Sequence, residues 1–297
     1  MIIVKLIGGL GNQMFQYAAG RRLAIAHDVP LKLDTGWFNY MPAGDTTRRY
    51  ALGVFPIRED FATTEEIRSV TGESSSKIWN RLHSLAEICG LVRASKNIVK
   101  ERFLHFDQTI LDLPNRAYLV GYWQSDKYFH DVDDILRREF TVKVPLAGKN
   151  LEIADQIRNT CSVSIHVRRG DYVSNPATTE FHGLCGLEYY RLCTAELARK
   201  VANPHFFVFS DDHDWTQQNL NIDFPVTYVD HNDSSEGHED MRLMSLCCHN
   251  IIANSSFSWW GAWLNPNPSK LVYAPRRWFN REDIDTIDIV PSTWMRL

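Results

Sequence analysis

The chain has 297 residues, 44% of them hydrophobic and 23% charged, the proportions of a globular protein rather than of a disordered one. Its 32 Lys and Arg against 36 Asp and Glu leave a formal charge of −4, which argues against a surface that tracks nucleic-acid phosphates but is compatible with a local anion site. No apolar run approaches the roughly 18 to 20 residues of a membrane helix, and no basic leader with a cleavage site is present, so a cytoplasmic protein is expected, at most peripheral at the inner face of a membrane.

The opening reads as strand, glycine loop, helix, strand: IIVKLI, GGLGNQ, MFQYAAGRRLAIAHD and VPLKLD, a βαβ start that implies a parallel sheet. The loop Gly9-Leu10-Gly11-Asn12-Gln13-Met14, with Asp34 ending the second strand, imitates a dinucleotide fingerprint. Met14 stands where that fingerprint needs a small residue for close helix-to-strand packing, so an NAD-dependent oxidoreductase is only the rival reading. Asn12 is better taken as a polar side chain aimed into an interdomain cleft.

From Asn39 to Asn115 the pattern is irregular, with one helix expected over Ile78–Cys89. Tyr118–Trp123 reads as a strand and Val132–Phe140 as a helix. Trp37, Tyr40, Tyr122 and Trp123 are residues that either stack on sugar faces or fill a core. TVKVPLAGKN, with its proline and glycine, is the candidate linker, and it divides the chain into domains at 1–145 and 146–297.

Beyond the linker, strands are expected at Ser162–Val167, His205–Phe209, Val226–Val229, Asn250–Ala253 and Leu271–Ala274. Helices are expected at Leu187–Val201, after Asp212, at Glu239–Cys248 and from Ser256. This alternation describes a second doubly wound domain, and the expected architecture is α/β, two Rossmann-like domains facing a cleft.

In open parallel sheets ligands bind beyond the carboxyl ends of the strands. The strand VSIHV ends in Arg168, Arg169, Gly170 and Asp171, and the alternation places His166 and Arg168 on one face near the sheet's edge. Arg168 offers a planar fork of donors suited to a diphosphate. The strand IIAN runs into Ser255 and Ser256 just before a helix, where hydroxyls and backbone N–H groups make a phosphate cradle. Together these describe a nucleotide-diphosphate site. Asp171 reads as an orienting partner for the arginine loop. Asp240, opening the helix EDMRLMSLCC, either favours the helix N-terminus or accepts the N–H groups of a guanine.

The run Asp211-Asp212-His213-Asp214 contains a D-x-D of the kind that holds a divalent ion elsewhere, but Asp214 falls at a helix start, and no metal requirement is expected. Six cysteines without a C-x-x-C pair, including Cys89, read as reduced thiols, and no cofactor is expected.

Three stretches carry a resemblance. SIHVRRGDY is similar to the H-x-R-R-G-D-Y motif of the α1,2-fucosyltransferase family, the bacterial type of glycosyltransferase family 11. GGLGNQMFQYAAGRRLA resembles that family's N-terminal motif, and EDMRLMSLCCHNIIANSSFSWWGAWLN its C-terminal donor-binding region. The resemblance spans Gly8 to Asn265 and implies a GT-B-type fold with an acceptor-side N-terminal domain and a GDP-fucose-binding C-terminal domain. It further implies an inverting, metal-independent transfer of fucose to the 2-hydroxyl of a galactose-terminated oligosaccharide or lipid-linked glycan. Arg168 would then contact the β-phosphate, with Arg169, Asp171 and Gly11 also on the donor. His166 and Asp240 would lie near the guanosine, Ser255, Ser256 and Phe257 around the diphosphate, and Asn12 near the fucose and acceptor. Arg168, Asn12 and His166 are the expected catalytic residues. A noncatalytic glycan-binding protein that keeps the fold is the third reading.

Overall fold

A computed structural model describes residues 1–39, 48–72, 97–281 and 283–297; within Gly170–His182 it leaves some side chains, that of Asp171 among them, outside the description. The expected helix over Ile78–Cys89, Tyr40 and Cys89 also lie outside the described residues. The chain divides into two compact units, Met1–Phe140 and Thr141–Leu297.

The first unit contains β1 (Ile2–Lys5), α1 (Leu10–Ala26), β2 (Leu31–Asp34), α2 (Thr64–Thr71), β3 (Ile98–Lys100), β4 (Ala117–Val120) and α3 (Asp133–Glu139). Its strands are all parallel in the order β2-β1-β4-β3. Helix α1 begins inside the glycine loop, with Gly9 extended as its N-cap, so Gly11, Asn12 and Gln13 are helical. It ends where Asp28 turns left-handed at φ 50 and the Val29 N–H returns to the Ala24 carbonyl at 3.0 Å.

Two glutamines of α1 are fully buried, and their hydrogen bonds explain why polar residues sit in an apolar helix. Gln13 donates to the carbonyls of Gly8 (2.9 Å) and Arg49 (2.8 Å) and accepts the Ala51 N–H at 2.8 Å. Gln16 accepts the Ile7 N–H at 3.0 Å and donates to the Gly121 carbonyl at 3.1 Å, joining the ends of β1 and β4.

The close helix-to-strand approach missing at Met14 occurs at Gly20, where an added Cβ would lie 2.1 Å from Val4 Cγ2 and 2.9 Å from Leu31 Cδ1. Val4 is buried in β1 and cannot swing aside. Gly20→Ala is therefore expected to destabilise the protein by about 1 to 3 kcal/mol in a denaturant titration; an unchanged midpoint would show that β1 and α1 separate freely.

The second unit contains α4 (Gly148–Arg158), β5 (Cys161–Val167), α5 (Gly170–Ser174), α6 (Pro176–His182), α7 (Leu187–Ala198) and β6 (Pro204–Ser210). It continues through α8 (His213–Asn219), β7 (Val226–Val229), α9 (Gly237–Leu246), β8 (His249–Ile251), α10 (Ser256–Leu264), β9 (Val272–Ala274) and β10 (Met295–Arg296). All six strands are parallel in the order β10-β9-β8-β5-β6-β7. Numbered within the unit this is 6-5-4-1-2-3, the doubly wound order of dinucleotide-binding domains.

Strand β5 lies in the middle of this sheet, between β6 and β8, not near its edge as the alternation suggested. Val163, Ile165 and Val167 pack with Tyr190, Cys193 and Leu197 of α7. The opposite face is also buried: Ser162 accepts the Cys248 N–H at 3.1 Å, and Ser164 accepts from Asn250 at 2.7 Å. The polar residues of β5 are thus an interior hydrogen-bonded layer, because a doubly wound sheet is covered on both sides.

On α10, Trp259 packs edge-on against Trp260 at 5.0 Å and donates from Nε1 to the Ile289 carbonyl at 2.7 Å. Both indoles are fully buried, which fixes the helix whose N-terminus faces the candidate site. The described cysteines are free thiols. No helix among the described residues is long and apolar enough to cross a membrane.

Candidate active site

From β5 the chain winds to β6 and β7 on one side of the sheet and then returns to β8 on the other. In sheets of this order the switch point, here between β5 and β8, is where a ligand crevice lies, at the carboxyl ends of the two strands. Arg168, Arg169 and Gly170 leave β5 at this point, and Asn254, Ser255 and Ser256 leave β8.

The register of β5 against β6 pairs Val167 with Ser210, so the arginines emerge beside the aspartates that follow β6. Arg168 Nη1 lies 2.7 Å from Asp211 Oδ2, and the other oxygen of Asp211 accepts the Arg169 N–H at 2.7 Å. The Arg168 guanidinium also lies 5.3 Å from the Tyr172 ring. Arg169 is anchored separately: its Nε lies 3.1 Å from Asp212 Oδ2, and its guanidinium stacks 3.4 Å from the Trp215 ring.

Gly170 permits this arrangement, since a Cβ there would lie 2.5 Å from Asp211 Oδ2. Tyr172 donates to the Asn254 carbonyl at 3.3 Å and ties the arginine loop to the end of β8. Asn254 in turn donates to the carbonyls of His182 (2.9 Å) and Trp278 (3.2 Å).

The D-x-D run is thus built into the scaffold. Asp211 holds the arginine loop, Asp212 accepts from Arg169 and from the Trp215 N–H as N-cap of α8, and Asp214 lies in that helix's first turn. Asp211 orients the arginine loop, and the side chain of Asp171, expected in that role, lies outside the description. The sequence shows Asp211 as part of the D-x-D run; only the strand register brings it to Arg168.

His166, the penultimate residue of β5, is 4% exposed, and its Nδ1 has no hydrogen-bond partner among the described residues. Its ring lies 5.5 Å from that of Phe257, in the first turn of α10. Burial pushes the imidazole down to about 4, against the opposing charge of Asp211 and with the help of Arg168, so it is neutral at pH 7. Ser255 is the extended N-cap of α10 and makes no side-chain capping bond, and Ser256 opens the helix, so the helix dipole is directed at the crevice.

Asp240, in the first turn of α9, accepts from Asn232 at 2.7 Å. Asn232 and Asn150 exchange side-chain hydrogen bonds, both 2.9 Å, and His231 Nε2 lies 2.8 Å from Asn150 Oδ1. Burial pushes the Asp240 carboxyl up to about 7, the Asn232 bond works against it, and Glu236 and Glu239 add to the rise. The two asparagines carried no signal in the sequence, because the first turn of α4 and the loop after β7 must meet before they become a network.

In the first unit, Asn12 accepts from Gln124 at 2.8 Å. This contact lies at the switch point of the smaller sheet, between the ends of β1 and β4. Gly8 is left-handed at φ 77, and a Cβ there would lie 2.6 Å from Asn12 Nδ2. Gly11 is buried in the first turn of α1. Of the aromatic residues, Trp123 is core at 1% exposure, whereas Tyr122 is 38% exposed.

Comparison with known proteins extends this picture. The family described as Glycosyl transferase family 11 matches residues 94–295. The chain is 35% identical to Alpha-1,2-colitosyltransferase of Escherichia coli over 100% of its own length and 99% of that protein. It is 27% identical to Galactoside alpha-(1,2)-fucosyltransferase 1 of Homo sapiens over 49% of this chain and 42% of that one. Among solved structures, a mutant of Arabidopsis thaliana FUT1 in complex with GDP aligns with a TM-score of 0.48 and 13% identity, over 98% of this chain and 74% of that one. With two Rossmann-like units, a family match across most of the chain and a full-length bacterial relative, the protein belongs to glycosyl transferase family 11, and its glycine loop is no mark of an NAD-dependent oxidoreductase.

Proposed function

We propose that this glycosyltransferase moves L-fucose from GDP-β-L-fucose to the 2-hydroxyl of a terminal galactose, with inversion and without a divalent ion. The observation that carries the donor half is that Arg168 follows β5 and the α10 N-terminus follows its neighbour β8, at the topological switch point, where a diphosphate would gain a guanidinium and a helix dipole together. The α1,2 linkage is supported by two relatives whose names share it although their sugars differ. Asp240 accepts the guanine N–H groups, and the second unit is the donor-binding domain. A glycan on a lipid carrier at the cytoplasmic face of a membrane is the acceptor setting this reading keeps.

In the reaction the acceptor O2 attacks the anomeric carbon as the bond from that carbon to the β-phosphate oxygen breaks. The electron pair leaves on the phosphate, the hydroxyl proton passes to solvent water, and GDP departs. Charge therefore grows on the β-phosphate, and Arg168, held by Asp211 and Tyr172, is placed to meet it without reorganisation. Neutral His166 binds and orients the donor; at pH 7 it is an imidazole with one ring N–H, not the imidazolium that a general acid requires.

The full-length relative favours a second donor, a colitosyl nucleotide, on the same site. Calorimetry in EDTA with GDP-fucose, a GDP-linked colitosyl donor, GDP-mannose, UDP-galactose and NAD separates these readings. GDP-fucose is expected to bind most tightly. Preference for the colitosyl donor would move the sugar while keeping the site, and binding of UDP-galactose alone would overturn the proposal.

A further inference from the structure

Among the described residues, Asp28, Trp123 and Asn203 are the non-glycine residues with positive φ. Asp and Asn tolerate the left-handed region through their short polar side chains, but a tryptophan at φ 58 is an outlier held there by its surroundings. Such strain concentrates where a chain must present a particular surface.

The forces that hold it are visible. Glu101, the first residue beyond β3, accepts the N–H groups of both Tyr122 (2.6 Å) and Trp123 (2.8 Å). Two successive backbone donors thus converge on one carboxylate, as they do in an anion-binding nest. A Cβ on Gly121 would lie 2.4 Å from Glu101 Cβ, so glycine is needed for this approach. Gln16 fixes the Gly121 carbonyl, and the Trp123 indole is buried edge-on against Tyr128 at 5.7 Å. At the end of the turn Gln124 reaches Asn12. A half-buried carboxylate, a strained backbone and two glutamine amides all serve to hold four residues, Gly121–Gln124, beyond the carboxyl end of β4. The large side chain this turn leaves open is Tyr122.

We infer that the Gly121–Gln124 turn is an acceptor-sugar subsite: Tyr122 offers its ring to the C–H face of the sugar, the Asn12–Gln124 amides pair with its hydroxyls, and Glu101 is the positioning residue that holds the backbone of the turn at Tyr122 and Trp123. The inference rests on the transferase reading. Aromatic residues bury large area at small entropic cost while amides supply directional bonds, which is the combination a hydroxylated ring requires. Glu101→Gln keeps the size of the side chain but turns an NH2 toward one of the two backbone donors, so the turn loses one of its bonds.

The test is steady-state kinetics with donor and acceptor varied separately. Tyr122→Leu and Glu101→Gln are each expected to raise the acceptor KM about tenfold or more while donor KM and GDP affinity stay within about twofold, and Tyr122→Phe is expected to lose much less than Tyr122→Leu. A Tyr122→Leu enzyme with wild-type acceptor KM, or one whose donor and acceptor KM rise together, overturns the inference. Tyr122 is exposed, so its variants remain informative even where Glu101→Gln does not fold. A wild-type protein that transfers no sugar to any galactoside fails the parent reading, and this inference with it, before any variant is compared.

Discussion

Arg168→Ala is expected to lower kcat by about 100- to 1000-fold while leaving the protein folded. The catalytic loss follows from the chemistry: the leaving β-phosphate gains charge in the transition state, and a preorganised cation at that point is favoured over one that must be recruited from solvent. Retention of fold follows from the ion pair's setting. The side chains of Arg168 and Asp211 are only 20% and 26% exposed, so losing the pair costs some stability, but Asp211 keeps the Arg169 N–H at 2.7 Å and the loop keeps that anchor.

Arg168→Lys keeps the charge but loses the planar fork and the stacking over Tyr172, and it is expected to recover only a small part of the rate. Asp211→Asn is the milder lesion, because the Arg169 N–H still finds an oxygen while the guanidinium loses its counter-charge. Turnover of GDP-fucose, read beside near-UV circular dichroism, checks the series. A folded Arg168→Ala enzyme that keeps most of its turnover contradicts the assignment.

Asp240→Asn is expected to weaken GDP binding by about 10- to 100-fold, the cost of exchanging charge-assisted hydrogen bonds for those of an amide. The same change is expected to raise the melting temperature at pH 8. The sign follows from burial: the folded protein raises this carboxyl from 3.8 to about 7 and so binds its proton more tightly than the unfolded chain does. Stability from this group is therefore full below about pH 4 and is lost as pH rises through about 7. At pH 8 the wild type carries a buried charge that the asparagine variant lacks; at pH 4 the two are expected to melt alike. GDP affinity of the wild type is expected to fall as the pH drops below about 7, because a protonated carboxyl cannot accept both guanine N–H groups. Equal GDP affinity in wild type and variant would remove Asp240 from the base site.

Much of this architecture was legible because a βαβ pattern is local. The strands read at Ser162–Val167, His205–Phe209 and Val226–Val229 agree with β5, β6 and β7 to within a residue at each end, since each is an apolar run bounded by polar turns. β3 went unread because it lies within the irregular stretch between Asn39 and Asn115, and β10 because two residues show no period. The proline and glycine of the expected linker concealed α4, whose buried Ile153, Ala154 and Ile157 form a helical face.

At the candidate site, the strand-end residues could be named from sequence, but what holds them could not. The Arg168–Asp211 pair depends on strand register, the Asn150–Asn232 exchange on a helix turn and a loop 82 residues apart, and the close approach at Gly20 on the spacing between helix and sheet. Trp123 illustrates the limit most clearly: its sequence context suggested either core or sugar platform, and only the backbone shows that it is buried core whose strain leaves the neighbouring Tyr122 open.

The most direct test of the account is the linkage of the product formed when the protein is incubated in EDTA with GDP-fucose and lactose. Fucose attached in α configuration to the galactose O2, identified by NMR, is the predicted result; fucose at any other hydroxyl, or no transfer at all from GDP-fucose, would contradict it.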